Sequence, residues 1–376
     1  MSTALRSNSD QIFEREAFTV RRNPCLVSLA LLALGVFFAG ARLHAQSFVL
    51  DLPRPSQHAL LTQRIGVTDI TISYHRPLTN GRKIWDGVVP YGQVWRAGAN
   101  ENTTIVFSDP VTIEGKPLDK GAYGLHMIPT ADQWTIIFSK NSTSWGSFTY
   151  NQAEDALRIQ VKPQAAELHE ALTYDFDQLK PDSAVLTLRW EKLAIPFKVA
   201  VKVNDVVQQS LHNQLRGLAQ YSWMGWDDAA TYLLDNKLNL EEALSYEDKS
   251  IQNEERFDNL VTRSRVLRAL GRKDEAATAQ NKALEGATPL QVHLLGRQLQ
   301  ADSRQDEAFA IFRTNAKKNP TQWFVHSGMA RIYSAQGDFD NAAKEMKVAL
   351  AGAPDQQKSY VAGLVKRLEA KEDINK

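Results

Sequence analysis

Residues 80–104 read N-G-R-K-I-W-D-G-V-V-P-Y-G-Q-V-W-R-A-G-A-N-E-N-T-T and follow neither the period of a helix nor that of a strand. The stretch holds two tryptophans, one tyrosine and four glycines. Connecting loops are ordinarily short and polar, so an aromatic-rich loop of this length is either a functional loop or a plug that closes the end of a β-fold. Both alternatives stay open from this stretch alone.

Short segments with the period of a β-strand lie on both sides of the loop. Before it, residues 67–74 place Thr68, Ile70, Ile72 and Tyr74 on one face, which is the alternation of a half-buried strand. About nine short strands with turn signals between them favour an all-β antiparallel sandwich. The later predicted strands are 103–107, 111–113, 122–128, 134–139, 159–161, 170–176, 184–190 and 197–203, with 191–196 as the last connector.

After residue 204 the sequence changes to the period of a helix and shows a repeat. Ala243, Ala276, Ala308 and Ala342 each follow a turn with acidic residues, and they are separated by 276−243 = 33, 308−276 = 32 and 342−308 = 34 residues. A period near 34 built of two helices resembles the tetratricopeptide repeat. We therefore predict a β-sandwich domain over 46–204 and an all-α repeat domain over 205–376.

The last two copies match the packing positions of that repeat, and the two earlier copies depart from it. Arg263 and Ser264 stand where the first helix ordinarily has a Leu-Gly pair. Since small residues there let helices approach closely, the register of the earlier copies is less well defined than their helicity. The matching residues are Leu295, Gly296, Leu299, Ala308, Phe312 and Pro320, then Met329, Ala330, Tyr333, Ala342, Ala349 and Pro354.

The N-terminal region, residues 1–45, has the order of a secretory signal. Arg21 and Arg22 precede the apolar run 26–41, and small residues follow. Cleavage is predicted after Ala45, with a site after residue 41 as the alternative. We expect an exported, periplasmic protein. The alternative is an uncleaved segment that anchors the chain in the inner membrane, although the run is short for a spanning helix.

Charge and cysteine content exclude several classes of function. The chain of 376 residues has 44 basic and 43 acidic side chains, a net charge of +1, whereas a dedicated nucleic-acid binder usually concentrates basic charge. Its single cysteine, Cys25, lies inside the predicted signal, so the mature chain would have no disulfide or thiolate metal site. His58, His75 and His126 show no metal-ligand spacing. We predict no metal, no cofactor and no nucleic-acid partner.

The segments N-G-R-K-I-W at 80–85 and V-P-Y-G-Q-V-W-R-A-G-A-N-E at 89–101 resemble the signature of DUF2911, a bacterial family of unknown function. The similarity covers most of residues 50–203. Two departures are Ala97, where threonine is expected, and Asp86, where glycine is expected. The resemblance implies an exported β domain that is sometimes joined to tetratricopeptide repeats, and it implies no activity.

Six side chains of the loop are candidates for a ligand site. Tryptophan rings beside arginine, amide and carboxylate groups suit a glycan, a peptide or another small ligand, which needs apolar faces and a few fixed hydrogen bonds. The structural alternative is that the tryptophans plug the sandwich while Arg96 and Glu101 pair with each other. The candidates are Arg82, Trp85, Trp95, Arg96, Asn100 and Glu101.

These observations favour a non-catalytic envelope protein that binds and scaffolds. The β domain would contact the ligand, and the repeats would dock a protein or peptide partner, as stacked helix pairs commonly do. One alternative is a hydrolase acting on envelope glycans or peptides, with Glu101 and Asp86 as candidate catalytic carboxylates and Arg96 beside them. A second alternative is a purely structural β domain with only the repeats interacting. The sequence leaves open whether the protein is an enzyme.

Overall fold

The structure, a computed structural model, describes residues 52–376. The predicted signal region lies outside the described residues, so export and membrane anchoring stay predictions. Residues 56–376 form one compact unit, and the predicted division into two domains stays a prediction. Within the described part of the chain, no helix is both long enough and apolar enough to span a bilayer.

Ten strands form two antiparallel sheets in the first part of the described chain. One sheet has six strands in the order β1-β2-β3-β6-β7-β8, and the other has four in the order β5-β4-β10-β9. The predicted all-β antiparallel fold is confirmed. The strands are β1 Gln57–Ile65, β2 Thr68–Arg76, β3 Thr104–Phe107, β4 Val111–Ile113, β5 Lys116–Leu118, β6 Gly121–Ile128, β7 Trp134–Ser139, β8 Asp155–Val161, β9 Gln164–Lys180 and β10 Ser183–Ala200.

A single hydrophobic core joins the inward faces of both sheets. In β2, Ile70, Ile72 and Tyr74 point inward as the alternation predicts, and the first two have no exposed surface. They belong to the same buried cluster as Leu186 and Phe197 of the other sheet. The alternation therefore leaves residues 69, 71, 73 and 75 on the outer face of the six-stranded sheet.

The prediction missed strands β1 and β5 and divided β10 wrongly. Strand β1 is an edge strand with little apolar contrast between its faces, so its alternation is weak. The predicted connector 191–196 lies inside β10. Its Pro196 falls between the segment that pairs with β9, which ends at Ala194, and the segment that pairs with β4, which begins at Val199. A proline costs no ladder hydrogen bond at such a position.

Ten α-helices follow the strands in the described chain. They pair as α2 with α3, α4 with α5, α6 with α7 and α8 with α9, and α10 packs on α9. The first helices of consecutive pairs also touch, α2 with α4 and α6 with α8. The helices are α1 Val203–Gln214, α2 Trp223–Asp235, α3 Leu240–Asn253, α4 Phe257–Ala269, α5 Lys273–Glu285, α6 Pro289–Ala301, α7 Gln305–Lys318, α8 Trp323–Ala335, α9 Phe339–Gly352 and α10 Asp355–Glu369.

The packing of these pairs confirms the predicted tetratricopeptide-like array. The four repeat alanines, from Ala243 to Ala342, have no exposed surface. A Cβ added to Gly296 would collide with the ring of Phe312, so only glycine allows that close approach. In an earlier copy the hydroxyl of Ser264 donates to the carbonyl of Ala276 at 2.7 Å. The earlier copy, which lacks the Leu-Gly pair, thus keeps a close contact between α4 and α5 through a hydrogen bond.

Candidate functional site

The aromatic loop joins β2 to β3 and is held against β6 by backbone hydrogen bonds. The amide of Trp95 donates to the carbonyl of Met127, and the amide of Met127 donates back to Trp95, both at 2.8 Å. The amide of Gly92 donates to the carbonyl of Pro129 at 2.9 Å. The loop therefore continues the sheet beyond the end of β3.

Both predicted tryptophans pack with two tryptophans of the sheets. The ring centroid of Trp85 lies 4.9 Å from that of Trp134 and 5.7 Å from that of Trp190. Trp95 stacks on Trp190 at 6.0 Å, and its indole donates to the carbonyl of Gly98 at 3.1 Å. Trp85 is only 8% exposed. This packing is the one that the structural alternative describes.

Two charged side chains of the loop, those of Arg82 and Asp86, are exposed at its surface. The guanidinium of Arg82 donates to the carbonyls of Thr79 at 3.0 Å and Leu78 at 2.5 Å, so it holds the turn of its own loop. Asp86 is exposed and lies 3.8 Å from the ammonium of Lys83. A surface pair of this kind contributes little to stability.

The remaining predicted residues lie at the other end of the loop. Arg96 is half-buried, and burial lowers the pKa of its guanidinium. Asn100 has a left-handed backbone, with φ of +57°, and its amide donates to the carbonyl of Ser56 at 3.4 Å. Glu101 pairs with the imidazole of His75, Nε2 to Oε2 3.4 Å. The structural alternative paired Glu101 with Arg96, whereas the partner that Glu101 contacts here is His75.

Glu101 and His75 line a cleft of about 450 Å³ on the outer face of the six-stranded sheet. The β1–β2 hairpin supplies its floor, since the register pairs His58 with His75 and Leu60 with Ser73. The other predicted site residues do not line this cleft. Its lining residues are His58, Ser73, Tyr74, His75, Glu101, Asn102, Thr104, Ser142, Thr143, Ser144 and Trp145.

A continuous row of polar side chains crosses the floor of the cleft. The Nε2 atom of His58 lies 2.7 Å from the hydroxyl oxygen of Ser73. The ring of His58 lies 5.2 Å from that of His75, centroid to centroid, and His75 contacts Glu101. The row offers hydroxyl, imidazole and carboxylate groups, which together can donate and accept hydrogen bonds.

Two loops close over one side of the cleft. The amide of Asn102 donates to the carbonyl of Asn141 at 3.4 Å, and its backbone N–H donates to the carbonyl of Ser144 at 3.2 Å. A Cβ at Gly124, in the strand below, would overlap both Asn102 and Asn141. Glycine in β6 therefore permits the loops to lie directly on the sheet. Trp145, on the second loop, is 53% exposed.

His126 anchors this second loop from beneath. It is almost fully buried, its Nδ1 atom lies 3.0 Å from the hydroxyl of Ser147, and its ring lies 5.4 Å from that of Tyr150. Burial lowers the pKa of His126 to about 4, although Asp155 acts in the opposite direction. The imidazole is therefore neutral at physiological pH and behaves as a packed structural group.

The sequence analysis missed most of the cleft, including His58, Ser73 and Trp145. One signal was available. A two-residue turn at Gly66 and Val67 would make a hairpin in which Ile65 pairs with Thr68. Continued along both strands, this register pairs His58 with His75. No group of three histidines, cysteines or carboxylates within 52–376 is placed to hold a metal ion.

The helical part buries an acidic pair of its own. Glu247 of α3 has no exposed surface and lies beside Asp227 of α2. Burial, and then the charge of Asp227, raise the pKa of Glu247 to about 10, while Arg263 acts in the opposite direction. Burial likewise raises the pKa of Asp227. At neutral pH Glu247 therefore keeps its proton and can donate it to Asp227.

Comparison with known families identifies the β part of the chain. Residues 56–199 match the DUF2911 family, described as a protein of unknown function. This confirms the resemblance predicted from the loop signature. No curated protein matches the chain.

Solved structures with some similarity to this chain include three proteins at 14–15% sequence identity. The Cut9–Hcn1 hetero-tetramer of APC/C has a TM-score of 0.30 and covers 44% of this chain, which spans 32% of that one. YrrB, a TPR protein with an unusual peptide-binding site, has a TM-score of 0.25 and covers 44% of this chain and 86% of its own. MamA AMB-1 has a TM-score of 0.24, with 40% and 85% covered. The repeat assignment rests on the helix packing described above.

Proposed function

We propose that this chain is an exported binding protein of the cell envelope whose β part holds a segment of glycan in the outer-face cleft and whose repeats dock a protein partner. The observation that carries the proposal is the convergence of His58, His75 and Glu101 with the partly exposed ring of Trp145 around one cleft. Its volume of about 450 Å³ is within the range of ligand pockets.

The chemistry of the cleft favours a neutral, polyhydroxylated ligand. An exposed aromatic ring offers a face on which the C–H face of a sugar can stack. The row from Ser73 to Glu101 offers hydroxyl, imidazole and carboxylate groups, which suit hydroxyl groups that both donate and accept. One carboxylate beside two imidazoles gives no strong charge of either sign. A highly charged ligand would find no complementary field here.

The repeats and the signal-like N-terminus support the other half of the proposal. Helix pairs stacked in a row commonly mediate protein interactions, and the described array has four such pairs with a final helix. The apolar run after Arg21 and Arg22 supports export, because its order is that of a secretory signal. The partner and the glycan would then both be envelope components.

Hydrolysis is the second candidate, and one distance favours it. The 2.7 Å contact between His58 Nε2 and the Ser73 hydroxyl is that of a base beside a nucleophile. Ser73, however, lies within a strand whose neighbours on both sides are paired, at Leu60 and at Thr104. The backbone N–H of Ser73 is thus part of a sheet and not of a turn that exposes amides to an oxyanion. Asp86, the other predicted carboxylate, does not line the cleft.

The test is a thermal-shift screen of the chain from Gln46 onward against envelope glycans, short peptides and chromogenic esters. A ligand at a hundred times its Kd stabilises a fold by about 2.7 kcal/mol, which shifts Tm by a few degrees. Trp145→Ala and Glu101→Gln are the cleft variants. Phe148→Ala is the matched control, since Phe148 is an exposed aromatic residue of the same loop that does not line the cleft.

We expect a glycan to stabilise the wild type and the Phe148→Ala variant, and not the two cleft variants. Glycans that shift no variant, or shift all of them equally, would contradict the proposed ligand site. Turnover of an ester that is lost in Ser73→Ala would establish the hydrolase instead.

A further inference from the structure

The segment after α10, residues 371–376, turns back across the first helices of the array. Lys371 has a left-handed backbone, with φ of +59°. Its amide donates to the carbonyl of Leu368, and the amide of Glu372 donates to the carbonyl of Arg367, both at 2.9 Å. This pair of bonds is the usual way in which a helix ends with a reversal of the chain. The direction of the segment is therefore fixed at its first residue.

The middle of the segment is bound to α8 through both side chain and backbone. The hydroxyl of Ser334 donates to the carboxylate of Asp373 at 2.9 Å and accepts from the amide of Ile374 at 3.0 Å. The side chain of Ile374 is buried, with 4% exposed. Burial opposes ionisation of Asp373, but hydrogen bonds from Asn375 and Ser334 outweigh it and lower its pKa. One acidic and one apolar side chain are thus recognised in succession.

The next residue bridges two first helices. The side chain of Asn375 donates to the carbonyl of Arg331 on α8 at 2.9 Å and accepts from the amide of Gln300 on α6 at 2.8 Å. The guanidinium of Arg331 donates in turn to the carbonyl of Ile374 at 3.0 Å. These contacts come from side chains and backbone together, and the segment itself makes a turn, because the amide of Lys376 donates to the carbonyl of Asp373 at 3.4 Å.

The groove has more capacity for hydrogen bonds than the segment uses. The Nε atom of Arg331, the Oε1 atom of Gln300 and an Nη atom of Arg297 are buried and have no partner within 52–376. Arg297 precedes Gln300 by three residues on α6, so the two lie on one face of that helix. Leaving such groups unpaired is costly. A peptide with a carboxylate to accept from the arginines and an N–H or O–H to donate to the Gln300 oxygen would satisfy them.

We propose that this groove, formed by α6, α8 and α10, is where the repeats dock their partner, and that the partner supplies a peptide with a carboxylate, an apolar and an amide side chain in succession. The segment 371–376, with Asp373, Ile374 and Asn375, occupies the groove as an intramolecular substitute. The partner must therefore displace it. This inference rests on the proposed docking role of the repeats and not on the proposed glycan cleft.

The attachment of the segment to α10 predicts competition. A short tether gives a local concentration of the order of millimolar. A free peptide of the same sequence must compete with the attached segment, so it binds the intact chain at least about tenfold more weakly than a chain without the segment.

The experiment is a fluorescence-anisotropy titration with a labelled peptide of the sequence A-K-E-D-I-N-K. It is titrated with the chain from Gln46 onward, with the same chain ending at Glu372, and with full-length Ile374→Asp. Circular dichroism establishes that each variant is folded. In the shortened chain, Gln300→Ala removes the contact to the peptide. Gln298→Ala is the matched control, because Gln298 bonds only its helical neighbour Asp302 in the described contacts.

We expect the shortened chain and Ile374→Asp to bind the peptide and the wild type to bind it at least tenfold more weakly. Gln300→Ala should weaken binding several-fold, and Gln298→Ala should leave it unchanged. A peptide carrying Ile374→Asp should not bind.

Four results would overturn the proposal. The folded variants could fail to bind, or the wild type could bind equally well, which would place the site elsewhere. Loss of the fold in both variants would make the segment a structural part of the array. A wild-type dimer that the shortening converts to a monomer would make a second copy the occupant. None of these results bears on the glycan cleft, whose thermal shift is measured on the wild type.

Discussion

The outer face of the six-stranded sheet and the first-helix face of the repeats both gather polar side chains, but they use them differently. On the sheet, His58, Ser73 and His75 line a cleft, and His58 contacts the other two within the same sheet. On the repeats, Gln300 and Ser334 bond to the separate segment 371–376, at Asn375 and Asp373. The interiors of the two parts differ as well, since aromatic rings pack in the β part and the helical part buries the acidic pair Asp227 and Glu247 between α2 and α3. The polar groups of the cleft thus contact their neighbours in the sheet, whereas those of the repeats hold a separate segment of the chain.

The largest expected effect separates two kinds of tryptophan. Trp85→Ala should lower the free energy of unfolding by about 3–5 kcal/mol, because it leaves a cavity among three other indole rings. Trp145→Ala should change it by no more than about 0.5 kcal/mol, because that ring is largely exposed. Urea unfolding at pH 7 measures both. Equal losses would remove the distinction between a packed cluster and an open cleft.

The second effect comes from the acidic pair in the helical part. Glu247 has a pKa of about 10 in the folded chain, so the folded chain keeps the carboxyl proton at neutral pH. The unfolded chain releases this proton above pH 4.5. Its contribution to stability is therefore complete below pH 4.5 and declines as the pH rises towards 10. Glu247→Gln should stabilise the protein by about 3 kcal/mol at pH 7.

The pH dependence supplies the control for that variant. The advantage of Glu247→Gln should disappear at pH 4, where the glutamate of the unfolded chain is also protonated. Denaturant unfolding at pH 4, 7 and 9 measures the difference. A glutamine variant less stable than the wild type at pH 7 would show that the glutamate is ionised and paired.

The third effect has the opposite sign of pH dependence and lies in the β part. His126 has a pKa of about 4 in the folded chain against 6.5 unfolded, so acid drives unfolding by protonating the unfolded chain. Protonation of this histidine in the unfolded chain lowers the free energy of unfolding by about 2 kcal/mol at pH 5 relative to pH 8. His126→Gln should flatten that part of the stability curve. An unchanged slope between pH 6.5 and 4 would show that His126 is not a neutral buried group.

The smallest effect concerns the cleft itself. Glu101 has a side chain that is 43% exposed and a contact of 3.4 Å with His75, so Glu101→Gln should change the free energy of unfolding by no more than about 0.5 kcal/mol. Chemical unfolding at pH 7 checks this. A loss of several kcal/mol would mean that the carboxylate is structural and that the cleft is part of the packing.

The repeats and the β part could be predicted from the sequence, but the cleft and the contacts of the C-terminal segment could not. The repeat was visible because Ala276 and Ala308 recur at a fixed spacing, and the β part was visible because the loop signature is long and irregular. The cleft could not be predicted from the sequence, because β1 lacks a clear alternation of apolar and polar residues. His58 joins the cleft only because the strand register places it beside His75. The contact between Gln300 and Asn375 joins residues 75 positions apart, and no local pattern encodes it.

Strand β10 also differs from what its sequence predicts. The proline in the predicted connector 191–196 argued for a break, and the strand nevertheless continues, since Pro196 lies where neither neighbouring strand needs its N–H. Local residue preference is overridden here by the position of the residue in the sheet. The ligand role of the loop residues from Arg82 to Glu101 is likewise a matter of three-dimensional neighbours, and it stays a prediction.

The most direct measurement compares ligand-induced thermal shifts in variants of the cleft and in variants of the aromatic loop, residues 80–104. Thermal shifts with the glycan panel would be recorded for Glu101→Gln and Trp145→Ala, and beside them for Arg82→Ala and Asp86→Ala, which alter exposed loop residues outside the cleft. We expect the ligand shift of a few degrees to vanish in the first pair and to persist in the second. A shift that persists in the first pair and vanishes in the second would place the ligand on the loop surface and contradict the cleft.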